Sequence, residues 1–258
     1  VEGSVGAIAR SSGFREAMQV TPVALGGAQD LITRSVATGL SGGSGADTLK
    51  IGPSGQVEAE ATAAVTSFDT GYEGLRLASP GNDAVAEARA AALAGDDGDD
   101  RLESAGSIVA RASAEVSEGE ARLVFKDFSL PDEMLPSPRQ QRRAQADAQG
   151  MLGGAGSDTV DHAGIMLLEA TATLEQFSLT LENGGLSGEA VSVLLSPATD
   201  DRPGAGALAS VVGLAGDDPL APDRSPGADS LRNSGFIEGT ARADASGLSI
   251  SVGFAVPS

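Results

Sequence analysis

The chain has 258 residues, a formal net charge of −19, no cysteine and a single histidine. Without cysteine there is no disulfide scaffold, thiolate zinc site, iron–sulfur cluster or cysteine nucleophile, and one histidine excludes multi-histidine metal sites. The negative charge disfavours binding to phosphate backbones and to anionic lipid surfaces. Aromatic residues make up only 3% of the chain and glycine occurs 35 times, so we expect a thin core of small side chains.

Short apolar runs and longer alternating runs follow one another along the chain. The short runs cover 35–40, 88–93, 144–152 and 208–214, and each precedes a glycine-rich turn. The long runs begin at 55, 106, 164 and 235 and alternate small or apolar residues with polar ones. A period of two predicts strands with one buried face. The corresponding short runs elsewhere in the chain suit strands, which favours a strand for 88–93. Strand and helix both remain open for 139–149.

A glycine-rich turn that ends in aspartate occurs in each copy. Residues 42–49, 95–102 and 153–160 align with one another. The fourth copy joins 216–218 to 227–231 once 219–226 is set aside as an insertion. The copies span approximately 20–80, 81–135, 140–200 and 205–258. Such internal repetition predicts stacking, in which each copy buries the apolar face of its neighbour.

We therefore predict a single all-β domain, a parallel β-solenoid or β-helix of about four degenerate repeats. Each copy is expected to supply three or four strands and two coils, and an elongated β-sandwich is the alternative architecture. Three stretches rich in proline and polar residues, 131–149, 197–206 and 219–226, are expected to be loop insertions on this scaffold.

The turns match a known sequence motif. The pattern Gly-Gly-x-Gly-x-Asp-x-(Leu/Val)-x occurs at 42–50 and 153–161, and 95–103 lacks only the second glycine. This pattern resembles the hemolysin-type (RTX) calcium-binding nonapeptide. The wider unit, which ends at 229–237, resembles the repeats of giant bacterial surface adhesins and autotransporter-like β-solenoid proteins. That resemblance implies a fibrous surface protein.

The nonapeptide resemblance also implies Ca²⁺, held between successive coils by aspartate carboxylates and turn carbonyls. The candidate ligands are Asp47, Asp97, Asp99, Asp100, Asp158 and Asp229. The nonapeptides here are more than 50 residues apart instead of in tandem, so their ligands meet only if one copy stacks directly on the next. The alternative is a tight turn in which the aspartate caps backbone N–H groups.

The sequence does not predict an enzyme. His162 follows Asp161, but no Gly-x-Ser-x-Gly elbow or phosphate-binding glycine loop accompanies them. We therefore assign no catalytic residue, and we expect His162 to lie at the edge of a strand beside the turn.

Two features suggest self-association. Arg139, Arg142 and Arg143 cluster in an acidic chain, either as an ordinary solvated loop or as a patch that docks on the acidic turns of a neighbouring copy. The last alternating run, 247–256, is expected to be uncapped and available to pair with a neighbour.

The expected function is structural. We predict an extracellular or cell-surface bacterial protein, a self-assembling subunit or stalk segment of a fibre, sheath or adhesin. Ca²⁺ is the only cofactor expected. Its expected partners are copies of itself, without nucleic acid, membrane insertion or a small-molecule substrate. The alternatives are a calcium-binding RTX-type module of a secreted toxin or enzyme, and a β-helical carbohydrate-active enzyme.

Overall fold

The structure, a computed structural model, describes residues 3–19, 30–73, 83–125, 141–184, 192–197, 206–217 and 227–255. These residues form fourteen strands in three sheets, arranged as a stack of coils. The all-β, parallel β-solenoid architecture predicted from the repeats is confirmed. The part of the chain that the structure describes contains no helix long and apolar enough to cross a lipid bilayer.

Each coil consists of three strands. A single strand, β1 (Ser4–Gln19), precedes the first coil. The first coil contains β2 (Leu31–Ser44), β3 (Thr48–Ile51) and β4 (Gln56–Glu73). The second contains β5 (Ala84–Asp97), β6 (Arg101–Ser104) and β7 (Ser107–Phe125). The third contains β8 (Arg142–Ala155), β9 (Thr159–His162) and β10 (Ile165–Gly184). After β11 (Ser192–Pro197), the fourth contains β12 (Gly206–Ala215), β13 (Ser230–Asn233) and β14 (Phe236–Ala255).

The coils stack without any shift in register. The long sheet has the order β1-β4-β7-β10-β14-β11, the middle sheet is β12-β8-β5-β2, and the short sheet is β13-β9-β6-β3. Pairing within each sheet is parallel, except that β11 is antiparallel to β14. Each copy therefore supplies one coil of three strands, and the expectation of two coils per copy was wrong. The long first and last strands of each copy use the residues that a second coil would have needed.

The core lies between the long and middle sheets and consists mainly of alanine. Ala61, Ala112 and Ala170 stack in one inward row of the long sheet, and all three are buried. Ala88 and Ala146 stack and are buried in the middle sheet. Side chains this small allow the two sheets to approach closely, which is why the low aromatic content is compatible with a folded core.

The middle sheet bends where a small residue faces the long sheet. Pairing of β2 with β5 includes Thr38 with Ala91 and Leu40 with Leu93 but omits Gly39. A Cβ atom on Gly39 would lie 2.5 Å from a methyl carbon of Val57, so the bend brings this backbone against the long sheet. After the bend the alternation is reversed: residues at odd-numbered positions of β5, such as Leu93, point inward.

The expected loop over 131–149 is shorter than predicted. Residues 142–149 belong to β8, because Ala144, Ala146 and Ala148 alternate with polar residues and pack into the core. This observation also decides between strand and helix for 142–149, and β5 confirms the strand at 88–93. Residues 131–140, 198–205 and 219–226, which cover the rest of the three expected insertions, lie outside the described residues.

The final strand is not uncapped as expected. β11 pairs antiparallel with β14, from Pro197 opposite Leu248 to Ser192 opposite Gly253. This part of the last strand has a partner within the same chain. Its pattern of alternation could not reveal that partner, because β11 comes from the connection between the third and fourth coils.

Candidate functional site: the aspartate corner

The predicted calcium ligands lie at one corner of the coil, between the middle and short sheets. We call this the aspartate corner: residues 42–47, 95–100, 153–158 and, in the fourth coil, 216–217 with 227–229. The parallel register of the flanking sheets stacks these four turns directly on one another. The sequence repeats thus become a column that runs through the coils.

The second and third glycines of the motif make the turn possible. Gly43 and Gly154 have φ values of 90° and 108°, and Gly45, Gly98 and Gly156 have φ values between 119° and 135°. L-residues with a side chain rarely adopt this region. Asp96 occupies the position of Gly43 and Gly154 with a φ of 77°, so the missing glycine of 95–103 is replaced by an aspartate in the left-handed region.

At the third glycine of the motif, Gly98 and Gly156 also leave no room for a side chain. A Cβ atom on Gly98 would overlap the carbonyl oxygen of Gly45, and one on Gly156 would overlap that of Gly98. A similar column, Gly106, Gly164 and Gly235, lies at the next corner, between the short and long sheets. Close contact of backbones in successive coils therefore requires glycine at both ends of the short sheet.

The four aligned aspartates form a ladder. The backbone N–H of Asp47 donates to Oδ1 of Asp100 at 2.8 Å, that of Asp100 to Oδ1 of Asp158 at 2.8 Å, and that of Asp158 to Oδ1 of Asp229 at 3.0 Å. The carbonyl oxygen of Asp100 accepts in turn from the N–H of Thr159. The carboxylates of Asp100, Asp158 and Asp229 thus each satisfy an amide of the preceding coil. The structure supports the alternative in which aspartate caps backbone N–H groups, although the capped group belongs to another coil.

In three of the four carboxylates, the second oxygen is buried without a hydrogen-bond partner among the described residues. This applies to Oδ2 of Asp47, Asp100 and Asp158. Asp100 is 3% exposed and Asp158 is 1% exposed. Oδ2 of Asp100 rests against Gly95, and Oδ2 of Asp158 against Gly153, where a Cβ atom would overlap it. The first glycine of each turn is therefore needed to admit the carboxylate.

Stacked carboxylates repel one another when ionised. Neighbouring strands are about 4.8 Å apart, and two unit charges at that distance repel by about 3 kcal/mol at an effective dielectric constant of 20. A hydrogen bond to a charged group contributes about 1.5–3 kcal/mol, so repulsion and hydrogen bonding are of comparable size. Burial raises the pKa of Asp100 and of Asp158, and the neighbouring aspartates raise it further, against the backbone hydrogen bonds that lower it.

The described corner can be compared with what a calcium site requires. Ca²⁺ takes six to eight oxygen ligands, and Oδ1 of Asp100, Asp158 and Asp229 already accepts from an amide of the neighbouring coil. Among the described residues, no group of three or more His, Asp and Glu side chains is placed to hold a metal ion. Calcium binding at this corner stays a prediction that the geometry does not favour.

The remaining candidate ligands occupy different positions. Asp97 ends β5 with an exposed side chain, and its carbonyl oxygen accepts from the N–H of Gly45. Asp99 is exposed, and its Oδ1 accepts from the N–H of Ser157 at 2.8 Å. Asp99 thus also links two coils, but its carboxylate accepts from the following coil and lies on the outside of the turn.

A second aspartate ladder was missed by the sequence reasoning. Before the middle sheet, the N–H of Asp83 donates to Oδ1 of Asp30 at 3.1 Å, and the N–H of Gln141 donates to Oδ1 of Asp83 at 2.8 Å. Each of these residues precedes a middle strand, and that shared position was the available signal. Here the carboxylate caps the following coil instead of the preceding one.

The arginine cluster is divided by the structure. Arg142 begins β8 and forms an ion pair with Glu118 of β7, with 2.6 Å between Nε and Oε2 and only 20% and 11% of the two side chains exposed. This contact joins the middle and long sheets of one chain, so Arg142 does not belong to a solvated loop. Arg143 points to the other face of β8, partly exposed, and Arg139 lies outside the described residues.

His162 lies at the end of a strand beside a turn, as expected, and its side chain lies inside the coil. It is the last residue of β9 and is fully buried, with Nε2 3.4 Å from the carbonyl oxygen of Phe236. Burial lowers its pKa. Nδ1 is also buried and has no hydrogen-bond partner among the described residues. A buried neutral imidazole of this kind packs against the corner of the coil.

No protein-family model matches this chain, and no curated protein or solved structure does. The resemblance to RTX and adhesin repeats is therefore an interpretation of the motif alone.

Proposed function

We propose that this chain is an extracellular structural protein, a subunit or stalk segment of a bacterial surface fibre, sheath or adhesin that associates with further copies or coils. The observation that carries the proposal is the open last coil. Ala241, Ala243 and Ala245 are exposed, although Ala170 and Ala172, which stack below the first two, are buried. A repeat whose inward face is exposed gains stability from a further coil.

The ends of the sheets support the same proposal. Among the described strands, β12 and β13 are outermost in their sheets at one end, and β1, β2 and β3 are outermost at the other. Outermost strands present unpaired backbone groups that can template further strands. On the C-terminal side, β11 covers β14 only over 248–253.

The dimensions favour a segment over a complete rod. Six strands of the long sheet at about 4.8 Å spacing extend about 24 Å along the stack, whereas a strand of twenty residues extends about 65 Å across it. One molecule is therefore shorter along the stacking axis than across it. Length along the axis would come from association.

Negative-stain electron microscopy of the purified chain, with and without a chelator, tests this proposal. Particles that grow in length along the stacking axis with protein concentration are expected. Monodisperse single copies at all concentrations would contradict self-assembly. Assemblies that dissociate only when the chelator is present would indicate calcium-dependent association, which is the form that the RTX-type resemblance implies.

A further inference from the structure

The long sheet extends beyond the middle sheet on one side of the stack. Arg142, the first residue of β8, contacts Glu118 of β7, and β2, β5 and β8 begin in register. The residues of the long strands that follow this contact therefore lie past the start of the middle sheet. We call this part of the long sheet the overhang: residues 68–73, 119–125, 177–184 and 248–255, together with β11, which pairs with this part of β14.

The apolar face of the long strands changes sides where the overhang begins. Up to Val116 in β7 and Leu174 in β10, buried apolar side chains point into the coil. Beyond them the inward positions are polar, as at Gln176, and the outward positions are apolar. The register continues without a break, so the sequence causes this change and not a bulge. The outer face of the overhang contains Phe68, Ala121, Phe177, Leu179, Leu248 and Ile250.

The large outward side chains are accessible in a single copy. Phe68, Phe177 and Leu248 are 39%, 40% and 44% exposed. They lie in one row across the sheet, in which Gly119 stands between the two phenylalanines. A Cβ atom on Gly119 would overlap Cδ2 of Phe68, so the ring lies over the neighbouring strand and makes the row continuous. A continuous exposed apolar surface of this kind is typical of an interaction site.

We propose that the outer face of the overhang is an interface between two copies of this chain, which pack side by side with these sheet faces in contact. A twofold axis parallel to the stacking axis relates the two copies, so their strands run in opposite directions and their stacks have the same polarity. The two overhangs then overlap while the two coils point away from each other. This lateral contact goes beyond growth along the axis, and only its consequence, a paired fibre, rests on the proposed function.

The size of the face suits a second copy. Five strands at about 4.8 Å spacing and six residues at about 3.4 Å each give a face of about 24 Å by 20 Å. Two such faces cover about 1,000 Å² in total, which is the lower end for a specific protein interface. Sheets that pack face to face lie about 10 Å apart with interdigitating side chains, and large outward residues fill such a space.

Charge favours the overhang over the rest of the outer surface as a contact between copies. The chain has a net charge of −19, so two copies repel each other wherever their charged surfaces meet. Outside the overhang, the outward residues of the long sheet include Glu58, Glu60 and Arg111. The six outward residues of the overhang carry no charge. The same net charge repels an anionic lipid surface, which is the other apolar occupant to consider.

Sedimentation velocity of the full chain tests the proposal with one substitution and a matched control. Phe177→Glu places a charge within the face. Leu167→Glu adds the same charge to the outward side of the same strand, at a residue 39% exposed but outside the overhang. Ala243→Glu charges the exposed inward side of the last coil and is expected to hinder axial growth alone. Circular dichroism verifies the fold of each variant, and Leu248→Glu repeats the test on the next strand if Phe177→Glu does not fold.

The wild type, Leu167→Glu and Ala243→Glu are expected to form dimers, and Phe177→Glu is expected to halve the mass of this smallest species. Negative-stain images are expected to show paired stacks for the wild type and single stacks for Phe177→Glu. A monomeric wild type, or dimers that persist in both overhang variants, would overturn the proposal. Dimers that never grow along the axis would contradict the proposed function and still support this lateral contact.

Flotation with vesicles of phosphatidylcholine and phosphatidylglycerol separates a lipid surface from a second copy. The wild-type dimer covers its apolar face and is expected to remain unbound. Vesicle binding by the wild type that Phe177→Glu abolishes and Leu167→Glu retains would assign the face to a membrane and rule out the proposal.

Discussion

The backbone N–H of Asp100 donates a 2.8 Å hydrogen bond to the carboxylate of Asp158, although the two residues are 58 positions apart in the chain. The contact exists because parallel stacking places each turn directly over the preceding one. At the bend a strand cannot continue its backbone ladder unaided, and the carboxylate supplies the missing acceptor. The aspartate of the repeat thereby has a structural role between coils.

Replacing Gly98 with alanine is expected to destabilise the fold strongly. The new methyl group would overlap the carbonyl oxygen of Gly45, and the φ of 135° is already unfavourable for alanine. Backbone strain and overpacking each cost about 1–3 kcal/mol, and urea unfolding measures their sum.

Gly45→Ala is the control for Gly98→Ala. Gly45 has a φ of 119° but nothing within 4 Å of an added Cβ atom, so only the backbone strain remains. Equal losses of stability in the two variants would mean that the close stacking of glycines across coils does not exist.

Asp96→Gly is expected to stabilise the protein. Asp96 holds a φ of 77° at a position where two other coils have glycine, and the change also removes a negative charge beside Asp100. The left-handed conformation costs about 1–2 kcal/mol, and the extra flexibility of glycine when unfolded offsets about 0.5–1 kcal/mol of the gain. A rise of a few degrees in Tm is the expected result.

The neighbouring change Asp97→Gly tests whether position matters. Asp97 has no positive φ, so glycine relieves no backbone strain there, and its entropic cost should lower the Tm. If Asp96→Gly lowers the Tm as well, the 2.5 Å contact from the hydroxyl of Ser41 to the Asp96 carboxylate outweighs the backbone strain.

Truncating Glu118 to alanine is expected to cost about 2 kcal/mol, because it removes a largely buried carboxylate that contacts the guanidinium of Arg142. Glu60→Ala is the matched exposed case, since Glu60 pairs with Arg10 at 3.3 Å on the outer face of the long sheet. That variant should lose less than about 1 kcal/mol. Equal losses in chemical denaturation would contradict the placement of Arg142 between the sheets.

The single histidine is expected to make the fold less stable as the pH falls. Because burial lowers the pKa of His162, its contribution to stability is present above the unfolded pKa, about 6.5, and is lost as the pH falls through the folded value. His162→Leu should therefore remove the loss of stability that this imidazole causes on acidification. An imidazole ¹H resonance that titrates at pH 6.5 or above would contradict this burial.

The repeats were enough to predict stacking but not the shape of one coil. Period-two alternation identified the long strands, since Ala110, Ala112 and Ala114 must share one face. The number of coils per copy was wrong, because local alternation does not reveal where a strand stops and a new coil begins. Asp30 and Asp83 escaped notice for a related reason: they lie outside the glycine motif and meet only through the register of β2 and β5.

The sequence by itself determined the all-β class, the repeat and the glycine and aspartate positions at the corner, because these depend on local periodicity and on backbone conformation. Only the tertiary structure decided that β11 pairs with β14, that Arg142 contacts Glu118, and that the carboxylates of Asp100 and Asp158 are buried in a column. Each of these contacts joins segments distant in the chain. Their existence depends on the relative height of the coils, which no local pattern encodes.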